Sequence, residues 1–323
     1  MTDSGRAQTD LCLLGDIGGT NARFCLYDSR RDEYAKERIL STAGYTTPEA
    51  AIDAYLQAAG AQRPVRAALA VASPVTGDRI RLTNQNWDFS TAGLRDAVGF
   101  ERLEVVNDFA AQALAVPRLN SRDAVTLAPG SGVPGEVFAV LGPGTGLGVA
   151  GLVKSGAGWK ALPGEGGHVT LPAVDRRQQA VIDWLRQRHG HVSSERVISG
   201  QGLVALYEAL CGLAGQQPEG LTPAQVTQKG EAGSDQYCAQ ALALFFDFLG
   251  IVAGNLVLTL GATGGLYLAG GILPRLRESL RGSGFLRCFA AKGRFREYLE
   301  AVAVHLVIRE NPAFLGLAQV LKD

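Results

Sequence analysis

Leu11-Cys-Leu-Leu-Gly-Asp-Ile-Gly-Gly-Thr-Asn-Ala-Arg-Phe-Cys-Leu-Tyr27 is the stretch on which the fold turns. Residues 11–14 are all apolar and predict a short buried strand ending at Gly15. Residues 22–27 predict a second strand, reached through a tight turn. Glycines in such a turn let backbone N–H groups aim inward with no Cβ in the way, which suits a phosphate. Gly15, Asp16, Ile17, Gly18, Gly19 and Thr20 therefore make a candidate phosphate loop. A carboxylate inside that loop repels a phosphate unless a divalent cation lies between them. Mg2+ characteristically keeps several waters and takes one or two carboxylates. Asp16 thus reads as a holder of Mg2+ through water; a hydrogen bonder of turn N–H groups fits the same position.

Outward from this stretch, a third strand is predicted at 36–40, a helix opened by Pro48 to about Ala59, and a strand at 65–71. Residues 79–82 read as an edge strand. Ser90 starts a short helix, 103–106 is a buried strand, and Phe109 begins another helix. The pattern then resumes, with strands at 136–141 and 149–154 around a glycine-rich 142–148. Helices are predicted near 176–188, 202–210 and 234–260, then a strand at 265–269, a helix at 273–280, a strand at 302–308 and a closing helix at 313–321. Leu14-Gly-Asp-Ile-Gly-Gly-Thr20 and Leu141-Gly-Pro-Gly-Thr145 each lie between two apolar strands, a weak internal duplication. The fold class expected is α/β, with two similar lobes whose glycine turns face one another across a single ligand cleft.

Composition supports a packed enzyme-like chain. Apolar residues make up 46% and charged residues 19% of 323, enough for a large core. The 31 basic and 31 acidic residues balance, which argues against a general nucleic-acid or anionic-membrane partner. Glycine, at 41 residues, is enriched in short runs between apolar segments rather than in low-complexity tracts. The five cysteines (Cys12, Cys25, Cys211, Cys238, Cys288) form no CxxC pair and read as small hydrophobes in a reducing compartment. The first ten residues read as a disordered polar tail without the apolar stretch of a signal peptide. The apolar run at 251–260 is broken by Gly254 and Asn255 and reads as too short to span a bilayer. A soluble cytoplasmic protein is expected.

Two further glycine loops occur, 142–148 and Ala269-Gly-Gly271; a tight hairpin accounts for any one of the three alone, but two of the three carry hydroxyl or acidic residues. Other nucleotide signatures fail. GxxxxGK[ST] is absent. Gly146-Leu-Gly-Val-Ala-Gly151 matches GxGxxG but runs into a predicted strand, whereas a dinucleotide fingerprint must open a helix. No HRD, DFG or VAIK constellation marks a protein kinase.

Six segments in order carry a resemblance: Gly15-Asp-Ile-Gly-Gly-Thr-Asn-Ala-Arg23, Val105-Val-Asn-Asp-Phe109, Leu141-Gly-Pro-Gly-Thr-Gly-Leu-Gly148, Pro163-Gly-Glu-Gly-Gly-His168, Glu195-Arg-Val-Ile-Ser-Gly200 and Tyr267-Leu-Ala-Gly-Gly-Ile-Leu-Pro274. Together they closely resemble the bacterial glucokinases of the hexokinase/actin/Hsp70 superfamily. The resemblance implies a two-lobed, actin-like (ribonuclease H-like) fold with duplicated βββαβαβα lobes. A smaller N-terminal lobe, 1–117 plus 309–323, would be completed by the C-terminal helix, and a larger lobe would span 118–308. It implies ATP- and Mg2+-dependent phosphorylation of the D-glucose 6-hydroxyl, feeding glycolysis, by a cytoplasmic homodimer. The first glycine loop then corresponds to the first phosphate motif. Gly144, Thr145 and Gly146 correspond to the second, facing the β- and γ-phosphates, and Gly270 and Gly271 to the adenosine motif. Sugar contacts carry over onto Asn107, Asp108, Glu165, His168 and Glu195. The related ROK (repressor, open reading frame, kinase) family follows its GExGH segment with a zinc-holding cysteine cluster. Here no cysteine follows His168 until the lone Cys211, so a sugar hydrogen bond is expected of His168 rather than metal ligation.

The chemistry asked of these residues is specific. A sugar hydroxyl is a poor nucleophile, so phosphoryl transfer needs positioning, charge neutralisation and a proton acceptor. Asp108 stands where a buried strand gives way to a helix and is the candidate base; the N-cap of the helix beginning at Phe109 also fits it. Carboxylates such as Glu165 and Glu195 make strong hydrogen bonds to hydroxyls. Glu195 also fits a first-turn acid after Ser193-Ser194, and His168 a satisfied structural histidine. Trp87 reads as a core aromatic. A kinase for another hexose or amino sugar, and a non-catalytic sugar sensor of the same fold, are the alternatives; the absence of a helix-turn-helix or basic patch in this sequence speaks against the sensor.

Overall fold

The computed structural model describes residues 10–60, 62–82, 87–131 and 135–322. The expected N-terminal tail therefore lies, apart from Asp10, outside the described residues. The chain divides into two compact units, Met1–Arg118 with Glu310–Asp323, and Leu119–Arg309.

The first unit begins with a meander, β1 (Leu11–Ile17), β2 (Asn21–Asp28) and β3 (Glu33–Ser41). α1 (Pro48–Ala59) leads to β4 (Arg66–Val71). A small hairpin of β5 (Arg79–Arg81) and β6 (Asp88–Ser90) follows, then α2 (Thr91–Val98), β7 (Arg102–Asn107) and α3 (Asp108–Ala115). The sheet order is β3-β2-β1-β4-β7; β1 to β3 are antiparallel, while β4 and β7 run parallel to β1. The side-chain period of a strand explains why β1 is apolar from Leu11 to Leu14. Leu13 and Ile17 point into a core with Ile52, Tyr55 and Leu94. Cys12 and Leu14 point the other way, into a core with Phe314 and Leu317. A strand buried on both faces cannot alternate with polar residues. α1 starts where Thr47 Oγ1 accepts from Ala50 N and Pro48 sets the first turn, and it stops at Gly60 in the left-handed region. Trp87 is a core aromatic as expected, its Nε1 donating to Tyr45 O at 3.0 Å.

The second unit contains β8 (Ala124–Ala128), β9 (Val137–Pro143), β10 (Leu147–Ser155) and β11 (Gly158–Gly164), then α4 (Arg176–His189), α5 (Gly200–Leu213), α6 (Pro223–Ala232) and α7 (Gln236–Leu260). β12 (Gly265–Leu268), α8 (Arg277–Arg281), α9 (Phe285–Ala290), α10 (Arg296–Glu300) and β13 (Val304–Val307) complete it. α11 (Ala313–Val320) belongs to the first unit. The sheet order is β11-β10-β9-β12-β13-β8. Without its edge strand β8, this is the first unit's sheet again: three antiparallel strands, then two parallel to the first of them. The duplication hinted at by two glycine turns is thus present as a repeated topology, the ribonuclease H-like arrangement of actin-like ATPases.

Two expectations need correction. The helix expected at 273–280 begins only at Arg277; Leu273 and Leu276 are buried in the turns before it. The apolar run at 251–260 is the end of a 25-residue helix, long and apolar enough by length and composition to cross a membrane. Yet α7 is the core of its unit. Phe245, Phe248, Leu249 and Ile251 are buried among α5, α6 and α9.

Candidate active site

In an open α/β sheet, ligand-facing groups collect beyond the carboxyl ends of the parallel strands. In the first unit, Ile17 pairs with Val71 and Val71 with Asn107, so β1, β4 and β7 end level with one another. The Gly18-Gly19 turn and Asp108 therefore stand at the same end of one sheet. Gly18 N donates to Asn21 O at 2.9 Å, closing the turn. Thr42, buried behind it, donates from its backbone N to Thr20 O at 3.0 Å and from Oγ1 to Gly19 O at 3.2 Å. Gly15 and Ile17 belong to β1 itself. A Cβ on Gly15 would meet Phe24 Cε1 at 2.9 Å and Leu69 Cδ2 at 2.6 Å, so core packing accounts for that glycine.

The local sequence offered Asp108 as an N-cap, but the cap of α3 is its neighbour. Asn107 Oδ1 accepts from Phe109 N at 3.0 Å and Ala110 N at 3.2 Å, and its Nδ2 donates to Ser73 O at 3.3 Å. Asp108 is the first helical residue, half-buried, with Oδ1 accepting from Phe109 N at 2.9 Å. Capping fixes the direction in which Asp108 leaves the sheet.

The second unit gathers the other expected residues around the start of β10. Its glycine turn, 144–146, is closed by Gly144 N donating to Gly146 O at 2.8 Å. Leu141 pairs with Leu268, which brings Gly270 to the same sheet end; Gly270, at φ +82°, lies against the backbone of Gly142 and Pro143. Gly271 has open space on its Cβ side. Glu165 and His168 flank a single 3-10 turn, Gly166–His168, with His168 Nε2 3.9 Å from Glu165 Oε2. Both side chains are exposed. A second such turn, Ser194–Arg196, carries Glu195 and packs on the first, Ser194 N donating to Val169 O at 2.9 Å. Glu195 Oε2 accepts from Leu147 N at 2.9 Å. Two participants were not singled out from sequence: the Leu147 amide and Gly200, whose N–H donates to Gly144 O at 3.0 Å.

The family model described as Glucokinase matches residues 13–323. The chain is 46% identical over 317 residues to a glucokinase of Nitrobacter hamburgensis, covering 98% of each sequence. It superimposes on the crystal structure of a glucokinase from an Antarctic psychrotroph with TM-score 0.86 at 39% identity, covering 98% of this chain and 99% of that one. The chain belongs to the glucokinase family. The fold extends further, to a Balamuthia mandrillaris glucokinase solved in complex with glucose, TM-score 0.80 at 21% identity, covering 99% of this chain and 96% of that one.

The sequence places a water-held Mg2+ at Asp16, and the surroundings of that carboxylate bear on the fit. Asp16 pairs across the β1–β2 ladder with Arg23, whose Nη1 is 3.5 Å from Asp16 Oδ2. Burial pushes the Asp16 carboxyl pKa up, and Arg23 opposes the rise. Among the described residues no cluster of three or more His, Cys, Asp or Glu side chains could cage an ion. A single carboxylate suits a cation that keeps most of its water. Asp16 therefore fits a water-mediated hold. Cys211 is buried, and burial pushes its thiol pKa up.

Proposed function

We propose that this chain transfers the γ-phosphoryl group of ATP to the 6-hydroxyl of D-glucose, giving glucose 6-phosphate and ADP. The observation that carries the reading is Asp108, capped into place at the sheet end that also bears the first glycine turn, in a chain of the glucokinase family. As the bond from sugar oxygen to γ-phosphorus forms and the bond to the β,γ-bridging oxygen breaks, Asp108 accepts the hydroxyl proton. Glu165, His168 and Glu195 hold the remaining hydroxyls, with Asn107 beside the base. The turns 18–20 and 144–146 hold the phosphates through backbone N–H groups, and Gly270 and Gly271 leave room for adenosine. Mg2+, held through water by Asp16, would neutralise phosphate charge. The same reading takes the working protein as a cytoplasmic homodimer.

A coupled assay with ATP and Mg2+ over glucose, mannose, fructose and glucosamine tests it. Glucose is expected to give the highest kcat/KM. A higher value for another sugar reassigns the substrate, and glucose binding without turnover of any sugar converts the reading to a sensor.

A further inference from the structure

We infer that Glu195 is a strut shared by the sugar and phosphate subsites, so that a residue read as a sugar contact also sets nucleotide affinity when no sugar is present. The inference rests on the glucose-kinase reading and adds to it. Leu147, the first residue of β10, follows directly on the 144–146 turn, and its N–H donates to Glu195 Oε2 at 2.9 Å. The carboxylate also fills the space beneath Gly146. A Cβ added there would come within 3.2 Å of Glu195 Cδ and closer still to Oε2, so a side chain at 146 would push the acid off the turn. Five residues on, Gly200 N–H donates to Gly144 O at 3.0 Å. Segment 195–200 thus grips the turn at both of its ends. The segment is itself anchored: Ser199 Oγ caps α5 by accepting from Gly202 N at 3.0 Å, and α5 buries Leu203, Leu206 and Tyr207.

A consequence is a division of labour within one carboxylate. Oε2 is committed to the Leu147 amide, and Oε1 is the oxygen left for a sugar hydroxyl. Charge-assisted bonds of this kind are stronger and shorter than neutral ones, so the brace is stiff. Losing it frees the backbone that cradles phosphate.

The test is ADP binding by calorimetry without sugar, beside glucose KM. Glu195→Ala is expected to weaken ADP about tenfold, the scale of one lost bond to a charged group. Glu195→Gln keeps a carbonyl oxygen for Leu147 N–H; it is expected to hold ADP within about twofold of wild type while its glucose KM stays raised. Gly146→Ala, which displaces the carboxylate without deleting it, is expected to weaken ADP as Glu195→Ala does, and to add nothing in the Glu195→Ala background. It supplies the same test should Glu195→Ala not fold. Wild-type ADP affinity in Glu195→Ala, or equal losses from Gly146→Ala in both backgrounds, overturns the strut alone. A wild-type chain that binds no ADP and phosphorylates none of the four sugars overturns the kinase reading instead.

Discussion

The two glycine turns sit on the same topology and are held in opposite ways. The 18–19 turn is braced from its own meander: Thr42, a buried neutral residue just after β3, bonds the carbonyls of Gly19 and Thr20. The 144–146 turn is braced from residues 195–200, about fifty positions away, and the brace is an ionised acid that also reads as a sugar contact. A neutral local brace shapes one loop and nothing else. A charged remote one ties the loop to whatever the charge binds. The repeated topology gives two equivalent scaffolds; under the proposed function the second carries recognition and the first carries Asp16 and Asp108.

That contrast is open to attack, starting with the largest effect. Asp108→Asn is expected to lower kcat by about 10²–10⁴-fold while glucose affinity and thermal melting stay near wild type. Near-normal turnover in that variant removes the first unit from the proton transfer. Asp16→Asn comes next, with activity at fixed Mg2+ down roughly 10–100-fold, the range for residues acting on a metal through an intermediary. The same variant reads out stability with opposite sign. Because burial raises the folded-state pKa of Asp16, its contribution is present below the unfolded carboxyl value, near 3.9, and is lost as pH rises through the folded value. Asp16→Asn is therefore expected to melt higher at pH 7 and to show a flatter acid-range profile; a lower melting point at pH 7 contradicts this.

Gly15→Ala separates packing from binding. Its Cβ would press on Leu69 and Phe24, and a loss of about 1–3 kcal/mol in denaturant unfolding is expected. An unchanged midpoint would mean that β1 can shift to admit a methyl group. Thr42→Val is the mildest. It deletes one neutral bond to Gly19 O, so ADP affinity is expected to fall only a few-fold and glucose affinity without nucleotide to stay put. A matching loss of glucose affinity would erase the difference between the two braces.

What could be read from sequence follows from how each element is buried. β1 announced itself because Leu13 and Leu14 face two different cores, which leaves no polar position in the run. β11 was silent for the opposite reason: it is a mostly exposed edge strand that buries no residue fully. α6 buries only Val226 and so shows no stripe, although Thr222-Pro-Ala-Gln225 spells a capping box that was there to be found. α9 and α10 are six and five residues long, too short for any period. In the site, the acids were legible as motifs. Asn107 and Asp108, both good cap residues side by side, could not be ranked locally, and only the structure assigns the cap to Asn107. The bond from Leu147 to Glu195 joins residues far apart in the chain, where no local pattern reaches.

The position of α11 has a consequence for synthesis. Phe314, Leu317 and Leu321 cover Cys12, Leu14 and Ala68, so strands made before the second unit await residues made after it for one of their faces. The intervening stretch, 119–309, takes roughly 10–40 s to make at ~5–20 residues per second. Throughout that interval the nascent first sheet presents a sticky, half-dressed surface, and a growing chain shielded by a chaperone would be spared aggregation until α11 arrives.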